Sequence, residues 1–164
     1  MKAQKVLLLG DPRLHDVSAP VVPHELPDLQ PVIQDLHDIL FEFKARFAHY
    51  GAFRGIAAPQ IGVMKRLIYT HVEDVRRVLI NPVLENMSPE TFEVWDDCMC
   101  FPNLLVRVHR HQSLTVRYQD ENGQEQTWSV AGSLSELIQH EYDHLDGILA
   151  TQRAIDERSF RWRV

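Results

Sequence analysis

The sequence lacks the marks of several broad classes. Its 164 residues hold only two cysteines, Cys98 and Cys100. That is too few for a disulfide-built fold, and two thiols in an intracellular chain more often serve as ligands or buried groups. No stretch approaches the roughly 18 apolar residues that a membrane helix needs, and the apolar run before Gly10 is too short for a signal-peptide core. A basic excess is missing too. The formal charge of −6 argues against a general nucleic-acid binder. Internal repeats and low-complexity segments are absent. What remains is one soluble, cytoplasmic domain over residues 1–164, large enough for a real core, with neither membrane nor nucleic acid expected as a partner.

What the sequence does have is concentrated in residues 133–147, which read as one short helix. Ser133 and Glu136 have the spacing of a capping box, in which each side chain satisfies a backbone N–H at the helix start. Gly147 sits where a glycine ends a helix in the left-handed conformation. Leu134, Leu137, Ile138 and Leu145 supply an apolar stripe at helical spacing. Inside lies His140-Glu141-x-x-His144. Residues four apart share a helix face, so both imidazoles can reach one metal ion. Glu141, offset by one residue, can touch a water there without ligating. The bland alternative is two solvated histidines on an exposed helix. A catalytic metal needs a third protein ligand and an open position. Cys98 and Cys100 are two apart, so an extended segment would aim both to one face and a turn would separate them. Spacing alone assigns neither.

Along the chain, residues 5–9 are expected as a short strand, and prolines make residues 11–12 and 19–23 irregular. Residues 28–50 form the longest helix, because Leu29, Val32, Ile33, Leu36, Ile39, Leu40, Phe43 and Phe47 recur every three or four positions. Pro31 fits its first turn and Gly51 ends it. Residues 55–62, Gly-Ile-Ala-Ala-Pro-Gln-Ile-Gly, are small groups followed by an amide. Such a run lets a backbone or ligand approach closely, and Gln60 could donate to a developing oxyanion. The plain alternative is a tight loop packed on a sheet. Strands are expected at residues 66–70, 77–83, 92–95, 104–108, 113–118 and 126–130, with an Asn122-Gly123 turn before the last. Strands after one long helix, then a closing helix, make an α+β pattern. From about residue 152 a short polar tail is expected, as a last short helix or a frayed end.

Three segments together resemble peptide deformylase. That family carries Gly-x-Gly-x-Ala-Ala-x-Gln, then Glu-Gly-Cys-x-Ser, then Gln-His-Glu-x-Asp-His-Leu. Here they stand as Phe-Arg-Gly-Ile-Ala-Ala-Pro-Gln at 53–60, Asp-Asp-Cys-Met-Cys at 96–100 and Gln-His-Glu-Tyr-Asp-His-Leu at 139–145. Lesser matches lie at residues 11–14, at residues 79–82 and at Val108-x-Arg110. The resemblance implies antiparallel sheets around a central metal-binding helix, and hydrolysis of the formyl group from the N-terminal methionine of nascent polypeptides. It implies one divalent metal held by Cys98, His140 and His144, Fe²⁺ in the cell with Zn²⁺ or Ni²⁺ accepted. Glu141 would carry the proton, and Gln60 with the Met99 backbone N–H would stabilise the oxyanion. Gly55 and Ile56 would border the extended peptide, with Arg54, Glu136 and Leu137 around the pocket for its first side chain. Asp96 and Arg110 would form a supporting ion pair, unless the arm of Asp96, shorter than the family's glutamate, fails to reach. The implied partners are a formylated peptide or other formamide, and a transient ribosome contact.

Several positions depart from the family. Phe53 replaces the first glycine, Asp97 the glycine before the metal cysteine, Cys100 a serine and Asp96 a glutamate. Arg54 stands where an apolar residue is common. Arg54 and Glu136 are expected to face each other, because a lone buried charge is costly; otherwise Glu136 serves only the cap and Arg54 is solvated. These departures open two other readings, a deformylase-like hydrolase of a different formamide or amide, and a metal-binding relative without turnover. Intact Glu141 and Gln60 speak against the latter.

Overall fold

A computed structural model describes residues 6–164. Helix α1 spans Gln30–Arg46 and α2 spans Ser133–Leu145. One sheet takes β1 (Gly55–Ala57), β2 (Leu67–Val72), β3 (Val75–Glu85), β6 (Ser113–Gln119) and β7 (Glu125–Ala131), in that order. A second takes β4 (Thr91–Asp96), β5 (Leu104–His111) and β8 (Phe160–Trp162). Every pairing between these strands is antiparallel.

Strand alternation explains how the larger sheet serves two helices, since successive side chains on a strand point to opposite faces. Leu67 and Tyr69 of β2 and Val78 and Ile80 of β3 share a core with Leu36, Ile39 and Leu40 of α1. Ile68 and Leu79, one step along each strand, share a different core with Ile138 and Leu145 of α2. Leu36 and Leu40 are fully buried, so truncating either to alanine would cost about 2–5 kcal/mol. A third core joins Val106 and Val108 of β5 to Leu14, Leu149 and both cysteines. Helix α2 therefore lies between the sheets and touches strands of both.

Some local expectations give way. The long helix is shorter than the apolar stripe: a 3-10 turn over Pro23–Leu29 precedes it. Phe47 then leaves helical dihedrals, and a further 3-10 turn, Ala48–Tyr50, ends at left-handed Gly51. Of the strand expected at residues 5–9, Lys5 lies outside the described residues, and Val6, Leu7 and Leu8 belong to no ladder. Leu7 N–H bonds the Gln60 carbonyl at 2.8 Å and Leu9 N–H the Cys100 carbonyl at 2.9 Å. The segment thus ties down two motif loops. The polar tail is neither frayed nor helical beyond a 3-10 turn at Ala150–Arg153. Its β8 pairs with β5, with Leu105 opposite Arg161, because β5 offers an edge beside it. The unexpected β1 is three residues long and wholly buried, too short to show alternation. Asn81 takes a left-handed φ of 49° at a register shift in β3, where its amide exchanges two 2.8 Å bonds with the Val21 backbone. Asparagine is one of the few side chains that tolerates that conformation.

Candidate metal centre

Helix α2 carries most of the site. Its N-cap is Gly132, at φ 59° and ψ −127°, and no side chain caps it. The expected capping box does not form, because Ser133 is already the first helical residue and both polar groups turn to Arg54. Ser133 Oγ and Ser133 O accept from that guanidinium at 3.2 and 3.0 Å. Gln139 pins the helix to β5, accepting from His111 N at 2.9 Å and donating to His111 O at 3.0 Å. At the far end Gly147 has φ +71°, and a Cβ there would lie 2.4 Å from the His15 carbonyl oxygen. Only glycine fits both demands. Every residue from 135 to 141 is buried, and His140 and His144 are 5% and 1% exposed. Solvated histidines are thereby excluded.

The chain leaving β4 at Asp96 folds Cys98 back beneath this helix, and Phe101 N–H bonds the Cys98 carbonyl at 3.1 Å to close the turn. One ligand atom from each of Cys98, His140 and His144 lies within 4.8 Å of the others. Cys98 Sγ is 3.4 Å from His144 Nε2. Cys100 stands outside that group, with its sulfur 3.6 Å from Gln60 Nε2.

His140 is held from behind. Its Nδ1 lies 2.9 Å from Asp96 Oδ2, leaving Nε2 as the free ring nitrogen. The shorter arm of Asp96 does reach Arg110, whose Nη2 donates to the same oxygen at 2.8 Å. Arg110 Nη1 donates to Asp143 Oδ2 at 2.7 Å, and Arg153 clasps Asp143 with bonds of 2.6 and 2.8 Å. Sequence reasoning missed Asp143 and Arg153. Asp143 follows His140 by three positions, which places it on the same helix face; Arg153 carries no comparable signal.

The protonation pattern follows from burial and these neighbours. Burial by itself works to raise the Asp96 carboxyl, but His140 and Arg110 outweigh it and hold Asp96 below the usual carboxylate range. Burial likewise works against charge on His140, and the Asp96 carboxylate overcomes it, lifting the imidazole to about 10. Burial, with His140 nearby, depresses His144 well below the ordinary histidine value, so it stays neutral. Burial pushes the Cys98 thiol well up and lifts Glu141 to about 7. Burial and then the Asp96 charge raise Glu136 to about 8.

A small cavity of about 30 Å³ opens beside Cys98, Met99, His140 and Glu141, bounded further by Gly55, Gln60 and Leu137. Ala57 N–H donates to Gln60 Oε1 at 2.7 Å, which turns the amide nitrogen toward the sulfurs of Cys98 and Cys100, both at 3.6 Å. Arg54 and Glu136 meet across the cavity, Nη2 to Oε2 at 3.1 Å. Ile56 is wholly buried in the α1 core and does not line it. Asp97 is answered by Arg163, which pairs with it and also lies over the Phe53 ring; no sequence signal linked those positions. Phe53 takes a left-handed φ of 65°, costly for a bulky side chain, and its ring packs edge-on against Phe43 and Phe47.

The donor set fits a divalent cation. A thiol with two imidazoles suits Zn²⁺ or Fe²⁺, and three protein ligands leave the open position that catalysis requires. A buried thiolate also calls for positive charge beside it. Among the described residues, the buried Glu141 Oε2 has no hydrogen-bond partner. That orphan acceptor points to a further occupant at this spot.

A family model described as polypeptide deformylase matches residues 3–160. Peptide deformylase 1 of Prochlorococcus marinus is 33% identical, over 98% of this chain and 85% of its own. The crystal structure of peptide deformylase from Thermotoga maritima superposes with a TM-score of 0.81 at 28% identity, covering 93% of this chain and 97% of that one. That of the Legionella pneumophila enzyme gives 0.81 at 31% identity, covering 91% and 84%.

Proposed function

This chain belongs to the polypeptide deformylase family, and from that premise we propose how its own residues carry out the family's reaction. It is a hydrolase of the N-formyl amide bond of nascent polypeptides. The family is metal-dependent, and Cys98, His140 and His144 would hold the ion, Fe²⁺ in the cell by this reading. A divalent cation, when bound, supplies Lewis acidity that polarises a carbonyl and makes a water acidic enough to attack near neutral pH.

Asp96 fixes the His140 ring with Nε2 forward. Glu141 takes the water's proton at its unpartnered Oε2 and hands it to the departing amine nitrogen. Gln60 Nε2, held by the Ala57–Gln60 bond, donates with the Met99 N–H to the oxygen that gains charge. β1 is the end strand of its sheet, and Gly55, which lines the cavity, is where an extended peptide would pair with it.

The observation that carries this reading is the convergence of one thiol and two imidazoles within 4.8 Å. The test is metal content and formyl-Met-Ala-Ser hydrolysis for anaerobically purified protein beside Glu141→Ala. The variant is expected to keep metal and lose turnover. Among the described residues no helix is long and apolar enough to cross a membrane. Work in the cytoplasm, with brief visits to the ribosome, follows from the proposed substrate.

A further inference from the structure

The cavity beside the candidate metal centre is closed by charge rather than by apolar groups. Arg54, just before β1, reaches across to the first turn of α2 and makes three bonds there, to Ser133 Oγ, Ser133 O and Glu136 Oε2. The Glu136 side chain is only 12% exposed. Asp96, a second buried acid, stands behind it, with a carboxyl oxygen of each within 4.8 Å of the other. With the pair in place the cavity measures about 30 Å³. A cavity that admits a benzene ring measures about 150 Å³. That space, which also adjoins Cys98, Gln60 and Glu141, is too small for a four-atom thioether arm.

Under the deformylase reading, on which this inference rests, the reacting formyl group sits beside Glu141 while the peptide runs along β1. The space between β1 and α2 then receives the side chain of the first residue. A long apolar arm enters only if Arg54 leaves Glu136. That takes from the buried Glu136 carboxyl its 3.1 Å partner and sets it against an apolar neighbour, a costly arrangement whether the group is ionised or protonated. A hydroxyl or small amide, by contrast, hydrogen-bonds to either charge without parting them.

We propose that Arg54 and Glu136 are specificity-determining residues, which disfavour long apolar first side chains and favour short hydrogen-bonding ones. Formyl-methionine peptides are still turned over, with Arg54 swung aside. Formyl-serine peptides rise relative to them.

The test compares kcat/KM for formyl-Met-Ala-Ser, formyl-norleucyl-Ala-Ser, formyl-Ala-Ala-Ser and formyl-Ser-Ala-Ser, in the metal-loaded wild type and in Arg54→Ile/Glu136→Ile. The double change removes both charges together, so no lone buried charge is left. Calorimetric binding of the products Met-Ala-Ser and Ser-Ala-Ser to the wild type gives a second readout independent of turnover. The wild type is expected to take the serine peptide at least as well as the methionine one, in both readouts. The double variant is expected to raise the methionine-to-serine ratio about 10- to 200-fold, the range typical of pocket contacts. A strong wild-type preference for methionine in both readouts, or a ratio the double variant leaves unchanged, overturns the proposal. Absence of turnover on every formyl peptide would instead strike the deformylase reading, and product affinities would still decide the role of the pair. Should the double variant fail to fold, the wild-type peptide and product orders decide alone.

Discussion

Asp96 and His140 are joined at 2.9 Å, carboxylate oxygen to Nδ1, and that one bond couples the candidate metal centre to a buried chain of charge. The chain continues through Arg110 and Asp143 and reaches the surface at Arg153. Both Asp96 and Arg110 are at least 97% buried, with side-chain exposures of 1% and 3%. Groups this deep are retained at a desolvation cost, so breaking the chain is expected to be felt at the metal and in the fold.

Asp96→Asn keeps the shape and removes the charge that orients His140. Metal affinity is expected to fall about 10- to 100-fold, the usual loss for a group supporting a ligand histidine. Titration of the apo-protein with Zn²⁺ against a competing chelator measures it. Unchanged affinity would mean that the ring is oriented by something else.

Arg110→Leu takes one partner from each of two buried carboxylates, leaving Asp96 only His140 and Asp143 only Arg153. Loss of about 3–5 kcal/mol is expected, as for one partner of a buried pair. Arg117→Ala, which removes exposed contacts to Glu85 and Glu125, is expected to change stability by less than about 1 kcal/mol. Urea unfolding of both metal-free variants gives the comparison. Similar values for the two would show that the buried chain is energetically idle.

Gly55→Ala separates activity from stability. A Cβ there would meet Leu137 Cδ1 at 3.1 Å and Glu141 Cγ at 3.3 Å, pressing on the proton carrier. A displacement of about 1 Å can cost on the order of 100-fold in rate, and the few tenths of an ångström required here about a tenth of that. A fall of at least tenfold in kcat is expected (within that order of magnitude), with the thermal midpoint little changed. Gly147→Ala is expected to do the reverse in emphasis, since its left-handed φ and the 2.4 Å clash with His15 strain the backbone itself. Stopped assays and melting curves of both variants check the contrast.

Much of this site was legible in the letters because its chemistry is local. His140, Glu141 and His144 lie about one helical turn apart, and the β6–β7 hairpin carries alternation. By contrast β2 and β3 read as continuous apolar runs, at residues 67–69 and 78–80, because a core covers each face of the sheet there. Gln60 and Cys98 could be placed by motif resemblance but not by spacing. What stayed hidden was set by tertiary contact. Arg153 and Arg163 answer Asp143 and Asp97 across folds of the chain that no periodicity reports. Glu136 shows how a local rule is overridden: its spacing from Ser133 matches a capping box, yet Arg54 draws both groups away. The tail became β8 because β5 had an edge to fill, a fact about the partner strand.

The most direct test is metal stoichiometry of Cys98→Ser beside Cys100→Ser, purified without oxygen and assayed on formyl-Met-Ala-Ser. Two sulfurs lie two residues apart, and only Cys98 joins the histidine pair. Cys100→Ser is expected to keep about one metal per chain and to turn over substrate, while Cys98→Ser loses both; one ion per chain is the count expected of a site with three protein ligands. Full metal and turnover in Cys98→Ser, or their loss only in Cys100→Ser, would contradict the account.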